Sequence, residues 1–391
     1  MKSVRLAAAF FLLTMIPFIS GCWDRTEVND LALIMAAGMD AAPNGKVELS
    51  VQIYTPSQSS SSSEGGMTSF GNGGDMVIVK SATGIDLAEA AQRLQEEMPR
   101  KVFWGHSEVF IAGEELAKRG ILDQVDFLFR HPQPREHAYF FVSKGKAKSI
   151  LSINTRMERD SAETLRELTV LSGGMGVTLK DLSGMLTGRS KAAIVPLIGR
   201  KEDDGEGSNT YPYINGAAVL IMGKMTGQYK GEAKRYVQII RNELKSTTVT
   251  FPVQKSKGED GGVMSVHLIK CHTHLIPTIR RNQWSITVRV QGEASVLQNE
   301  SHVNVMLPNE IPQLEQQLNK EIESKVKETF RQIQEESHAD VFGTADAFWR
   351  KYPKRWTKEQ ARWDEIFPEV SVYADSDVKI IAPGFAGKSY K

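Results

Sequence analysis

Downstream of Pro312, the residues Leu314, Leu318, Ile322, Val326, Phe330 and Ile333 recur every three or four positions. That spacing puts all six on one face of a long helix, with the proline in its first turn. Glu321–Lys325 and Glu323–Lys327 stand four apart and support the same helix on its wet side. A stripe this long and narrow needs a broad apolar surface to lie on. The preceding segments 248–254, 263–276, 284–290 and 294–297 read as strands, and the chain closes with another over 370–381. The expectation for residues 211–391 is an α+β domain, an antiparallel sheet covered by long helices.

The first half alternates strand and helix. Val47, Leu49, Val51 and Ile53 alternate with Glu48, Ser50 and Gln52, the period of a half-buried strand. Residues 31–38 precede it as a strand, and 76–80 read as its antiparallel neighbour. The serines and glycines of 57–74 between them bury too little apolar surface to order themselves and read as a flexible loop. Thr83 can cap a helix with Leu87, Ala91, Leu94 and Met98 on one face. A strand over 101–112 interrupted at Gly105-His106, a helix over 114–130 and an apolar strand over 138–142 follow. This is an α/β pattern for 23–200, with a possible subdivision near 150 into a small helical middle domain. Pro196 argues for an edge position for 192–198. The acidic, glycine-bearing residues 201–210 read as a linker or surface loop. The whole is mixed α/β and multi-domain.

The N-terminus carries Lys2 and Arg5, then an apolar run over 6–19 broken only by Thr14 and Pro17. This has the build of a signal peptide over 1–21 and is too short for a spanning helix. Ser20 and Gly21 are small enough for a peptidase cleft, and Cys22 then offers a thiol for lipid, as an S-diacylglycerol cysteine with N-acylation. Two acyl chains, at ~0.8 kcal/mol per buried CH₂, anchor stably where one does not. Free secretion with an incidental cysteine is the alternative. The other cysteine, Cys271, is left without a disulfide partner if Cys22 is acylated.

Other chemistry is sparse. With 48 Lys and Arg against 47 Asp and Glu, the net charge of +1 gives no support to bulk nucleic-acid binding. Cys271-His272-Thr273-His274 would present two ligands on one strand face, short of a metal site. His106 reads as a core or bulge histidine rather than a base. No nucleophile elbow, zinc-protease motif or Walker loop occurs. Catalytic, cofactor-binding and metal residues are therefore expected to be none. The segment 348–356 mixes Phe348, Trp349, Tyr352 and Trp356 with the four cations Arg350, Lys351, Lys354 and Arg355. It reads as aromatics packed on a sheet with solvated charges, or else as a partner or membrane contact.

Several stretches together resemble one family. Gly21-Cys22-Trp23-Asp24-Arg25 and the residues through Leu31 resemble the mature start of the Ger(x)C lipoproteins, the C subunits of spore nutrient-germinant receptors. Lys101-Val102-Phe103-Trp104-Gly105-His106-Ser107-Glu108-Val109 with Gly113-Glu114-Glu115-Leu116-Ala117 resembles the family's N-terminal region. Asp340-Val341-Phe342-Gly343, the aromatic-basic segment and 363–367 resemble its C-terminal region. The resemblance implies a non-enzymatic, multi-domain α/β subunit held by lipid on the outer face of the spore inner membrane. It implies an A subunit and a transporter-like B subunit as partners, and Cys22 as the lipidated residue. The competing reading is a lipoprotein that captures a solute for a membrane transporter.

Overall fold

The computed structural model describes residues 27–55, 77–155, 158–171, 175–202, 210–254, 260–301 and 303–382. The chain runs β1 (Leu31–Ala41), β2 (Val47–Tyr54), β3 (Val77–Gly84), α1 (Leu87–Glu96), β4 (Lys101–Phe103), β5 (Val109–Gly113), α2 (Glu114–Arg119) and α3 (Leu122–Arg130). It continues through β6 (Tyr139–Ser143), α4 (Ala147–Leu151), α5 (Ser161–Leu171), α6 (Leu179–Thr187), β7 (Ala192–Glu202), β8 (Thr210–Ile221) and β9 (Lys224–Lys230). These strands form one nine-stranded sheet in the order β3-β2-β1-β5-β6-β7-β8-β9, with β4 beside β1.

Val47, Leu49, Val51 and Ile53 all point into the core, as their alternation requires. β3 pairs antiparallel with β2 from Val47–Gly84 to Tyr54–Val77. The helix after it is capped by Asp86, whose carboxylate accepts the Glu89 N–H at 2.8 Å, while Thr83 belongs to β3. The expected 101–112 strand is two strands joined by a 3-10 turn at Trp104–His106. The expected 114–130 helix breaks at Gly120, whose φ of +127° only glycine adopts without strain.

The helical residues beyond 147 form no separate body. Ile150, Leu151, Ala162 and Leu165 cover the second face of the sheet against Val109, Ile111 and Phe141. Asp40 fastens this layer, accepting the N–H of Ala147 at 2.8 Å and of Lys148 at 2.9 Å. Burial raises its carboxyl against those bonds. Gly113 leaves the room Asp40 needs, since a Cβ there would sit 2.0 Å from Oδ1.

Two further expectations are corrected here. Pro196 lies in β7, an inner strand between β6 and β8. It is tolerated because β6 pairs only with Leu197 and Ile198, leaving the proline's flank without a strand partner. The segment 201–210 is no passage between sheets, because Glu202 pairs with Thr210 in a hairpin of one sheet. Residues 203–209 themselves lie outside the described residues, as do those of the serine-glycine stretch 57–74.

The passage to the second sheet comes later, at α7 (Glu232–Ile240). Beyond it lie β10 (Thr247–Gln254), β11 (Asp260–Arg280), β12 (Gln283–Asn299), α8 (Ile311–Ser337), α9 (Thr344–Lys351), α10 (Pro353–Glu359), α11 (Trp363–Ile366) and β13 (Ser371–Ala382). The order is β10-β11-β12-β13. The expected antiparallel sheet is mixed: β13 runs parallel to β12. A parallel neighbour requires a long crossover, and α8 to α11 supply it.

Every residue of the α8 stripe is at most 1% exposed. Each such burial contributes roughly 1.5–3 kcal/mol. The stripe and the inward faces of both sheets belong to one continuous apolar core. On its wet side, Lys325 binds Glu328 at 3.2 Å and Glu232 at 3.7 Å rather than Glu321.

α8 also closes the sheet's edge. Glu315 accepts the N–H of Ile380 at 2.9 Å, Asn319 that of Val378 at 2.8 Å, and Glu323 that of Ser376 at 3.1 Å. Four helical residues advance about 6 Å and two strand residues about 6.6 Å, so the periods match. The helix thus takes the place of a fifth strand.

Candidate functional site

Cys22 lies outside the described residues. The described chain begins five residues later at Glu27 and enters β1 at Leu31, beside Lys101 of β4. Five residues span at most about 18 Å.

Of the other residues singled out in the sequence, Cys271 and Thr273 turn inward and His272 and His274 outward. Burial pushes the Cys271 thiol up to about 11, so it is held protonated. Among the described residues, no three His, Cys, Asp or Glu side chains converge as a metal site. His106 is exposed on the 3-10 turn rather than buried, with its ring 5.9 Å from that of Phe103.

The aromatic-basic segment divides between α9 and α10. Phe348 and Trp356 are buried and join a cluster with Trp284, Trp363 and Phe367. Trp284 and Phe348 lie 4.7 Å apart, and Trp356 and Trp363 5.0 Å. The packed reading therefore describes these two. Trp349 departs from it, being 41% exposed with the Arg189 guanidinium 3.6 Å above its ring.

At the base of this cluster sits Asp340. Its carboxylate accepts the N–H of Thr344 at 3.0 Å, that of Ala345 at 2.6 Å and the indole N–H of Trp363 at 3.2 Å. Burial raises its carboxyl in spite of these donors. One side chain thus starts α9 and fixes α11 against it. An open groove of about 490 Å³ lies between the β11–β12 turn and α10–α11. Among its charged lining residues, Arg355 pairs with Glu359 at 3.1 Å and Arg362 with Glu365 at 2.8 Å, and Glu369 stands beside them.

The two sheets meet at a polar joint that the sequence reading missed. Tyr229 of β9 and Ser337 of α8 share a hydrogen bond of 2.6 Å. Arg189, just after α6, binds Asp346 of α9 at 2.7 Å while it stacks on Trp349. Arg241 donates to the carbonyl of Val341. Nothing in the spacing of these residues marks them as partners. The polar i, i+4, i+8 set of Glu315, Asn319 and Glu323 beside the apolar stripe is a signal that sequence could have supplied.

Comparison with known proteins places this architecture. The family described as Spore germination protein N-terminal domain matches residues 24–200, and Spore germination B3/GerAC like, C-terminal, matches 215–384. The chain belongs to the Ger(x)C family. Among similar Ger(x)C proteins, Spore germination protein KC of Bacillus subtilis (strain 168) is 26% identical over 99% of this chain and 97% of its own. Putative spore germination protein YfkR of the same strain is 24% identical over 95% of this chain and 94% of its own. The crystal structure of the GerBC protein matches with a TM-score of 0.57 and 18% identity, covering 88% of this chain and 96% of that one. That likeness establishes a shared Ger(x)C fold. The first family region ends within β7 and the second begins within β8, so in this chain the first sheet draws on both. No helix among the described residues is long and apolar enough to cross a membrane.

Proposed function

We propose that this chain is a lipid-anchored, non-catalytic subunit of a spore nutrient-germinant receptor, needed for nutrient-triggered germination. The observation that carries this reading is the ordered match of both Ger(x)C regions across 24–200 and 215–384. Relatives named Spore germination protein KC, B3 and A3, each aligned over nearly its whole length, support it. The partners are then an A subunit and a transporter-like B subunit. The body is held at the outer face of the spore inner membrane by acylated Cys22, which follows the small residues Ser20 and Gly21. A continuous core across two dissimilar sheets favours a receptor subunit over a solute-capturing protein, which closes two lobes about a hinge.

The experiment is Cys22→Ala in spores. The protein should leave the membrane fraction and nutrient-triggered germination should collapse, while germination by routes that bypass nutrient receptors persists. A Cys22→Ala protein that stays in the spore membrane would sink the anchor.

A further inference from the structure

The sheet edges of this protein are not treated alike. β13 is sealed by Glu315, Asn319 and Glu323 of α8. β9 lies against α2 and α8. β10 contains Pro252, which has no N–H to offer, and Gln254 exchanges hydrogen bonds with Gln317. β4, beside β1 and off the main path, has its Val102 N–H taken by Gln95 at 2.9 Å. Among the described residues, the edge left is that of β3.

Of that edge, only the far end is covered among the described residues. Arg93 of α1 donates to the carbonyl of Thr83 at 2.9 Å, and Glu89 accepts the N–H of Ile85 at 2.6 Å. Alternate residues of a strand in an antiparallel pair turn their N–H and C=O groups away from the partner. With Thr83 and Ile85 facing outward, Val77, Val79 and Ser81 face outward too. Among the described residues no hydrogen bond occupies their outward groups. The run Val77-Ile78-Val79 is β-branched throughout, contains no proline and pairs with β2 without a bulge. An edge of this chemistry is a template for another strand.

We infer that the edge of β3 from Val77 to Ser81 is a strand-addition site for an extended segment of another polypeptide, one that carries a carboxylate opposite Lys80. Main-chain groups supply the binding in this mode and flanking side chains the selectivity. Ile78 is 40% exposed, and Lys80 is exposed with no ion-pair partner among the described residues. Both lie on one side of β3, so the incoming strand meets an apolar and then a cationic position. A second copy of this chain fits less well. Self-pairing centred on Val79 sets each Lys80 across from Ile78 of the other copy and leaves both lysines without a counter-charge. The inference deepens the receptor-subunit reading and rests on it for where the partner is met.

The test is amide hydrogen exchange on the full chain, compared between native spore membranes and the same chain purified in detergent. The amides of Val77, Val79 and Ser81 should exchange at least about tenfold more slowly in the membranes. Val79→Pro removes one outward N–H without touching the β2 ladder and should abolish protection of Val77 and Ser81 while the unfolding temperature is kept. Lys80→Glu, which leaves the backbone untouched, should weaken it too. Equal exchange in the two settings overturns the inference whatever co-purifies. Absence of other germination proteins from the solubilised complex overturns the receptor reading, whether or not β3 is protected. Protection in the purified chain with a doubled mass by light scattering assigns the edge to a second copy and overturns the acidic partner.

Discussion

Tyr229 Oη and Ser337 Oγ lie 2.6 Å apart, one on the last strand of the first sheet and the other in the final turn of α8. Both residues are buried, so each hydroxyl has exchanged water for the other. Gly227 makes this possible, because a Cβ there would stand 2.3 Å from the serine oxygen.

Removing either hydroxyl takes away the hydrogen bond that joins the two sheets here. Tyr229→Phe and Ser337→Ala should each cost about 1–3 kcal/mol, and the double variant less than their sum. Urea unfolding of the four proteins measures the coupling. Additive losses would mean that the two hydroxyls do not stabilise one another.

Asn319 both accepts the N–H of Val378 and donates to its carbonyl at 3.1 Å. Asn319→Ala should destabilise the protein by about 1–3 kcal/mol by leaving buried strand groups unpaired. Asn319→Asp keeps the acceptor and should lose less. If Leu at this position were as stable as Asn in urea unfolding, the edge-sealing role would be wrong.

His131 packs its ring 5.9 Å from Trp104 and 5.7 Å from Phe127, and its Nδ1 accepts the N–H of Gln133. Burial lowers its pKa from the ordinary 6.5. A depressed value means that its stability contribution is complete above pH 6.5 and is lost as pH falls through the folded value. His131→Leu should therefore flatten the decline in unfolding temperature below pH 6.5. An unchanged pH profile would contradict this.

Cys271, with its thiol raised to about 11, should resist thiol reagents at pH 8 in the native protein. In urea it should react at the rate of a free cysteine. Rapid native labelling, followed by mass spectrometry, would show that the site opens.

How much of this was legible beforehand differs from element to element. The α8 stripe was read correctly because burial on one face leaves a period in the sequence. β2 was read correctly as a strand but not as half-buried, since Ser50 and Gln52 are covered by the second helical layer, where Gln52 bonds Leu151 and Ser161. The direction of β13 was not legible, since a strand's period is the same beside a parallel or an antiparallel neighbour. Residues 201–210 looked like a linker because acids and glycine suit a hairpin turn equally well. Trp349 was expected on the sheet with Phe348, yet adjacent helical residues point about 100° apart, and Trp349 met Arg189 instead. Cys22 lies outside the described residues, so its lipid remains part of the proposal.

The parallel strand has a consequence for how the protein reaches its native state. Ser285 pairs with Ser371, 371 − 285 = 86 positions further along. The β11–β12 hairpin, by contrast, closes through a local turn at Arg281 and Asn282. β12 then stands with one side bare until the entire helical crossover has folded back. Closing so large a loop is slow compared with forming the hairpin. During that interval β12 is the strand most open to pairing with the wrong neighbour, and the arrival of β13 under α8 is the step that ends the risk.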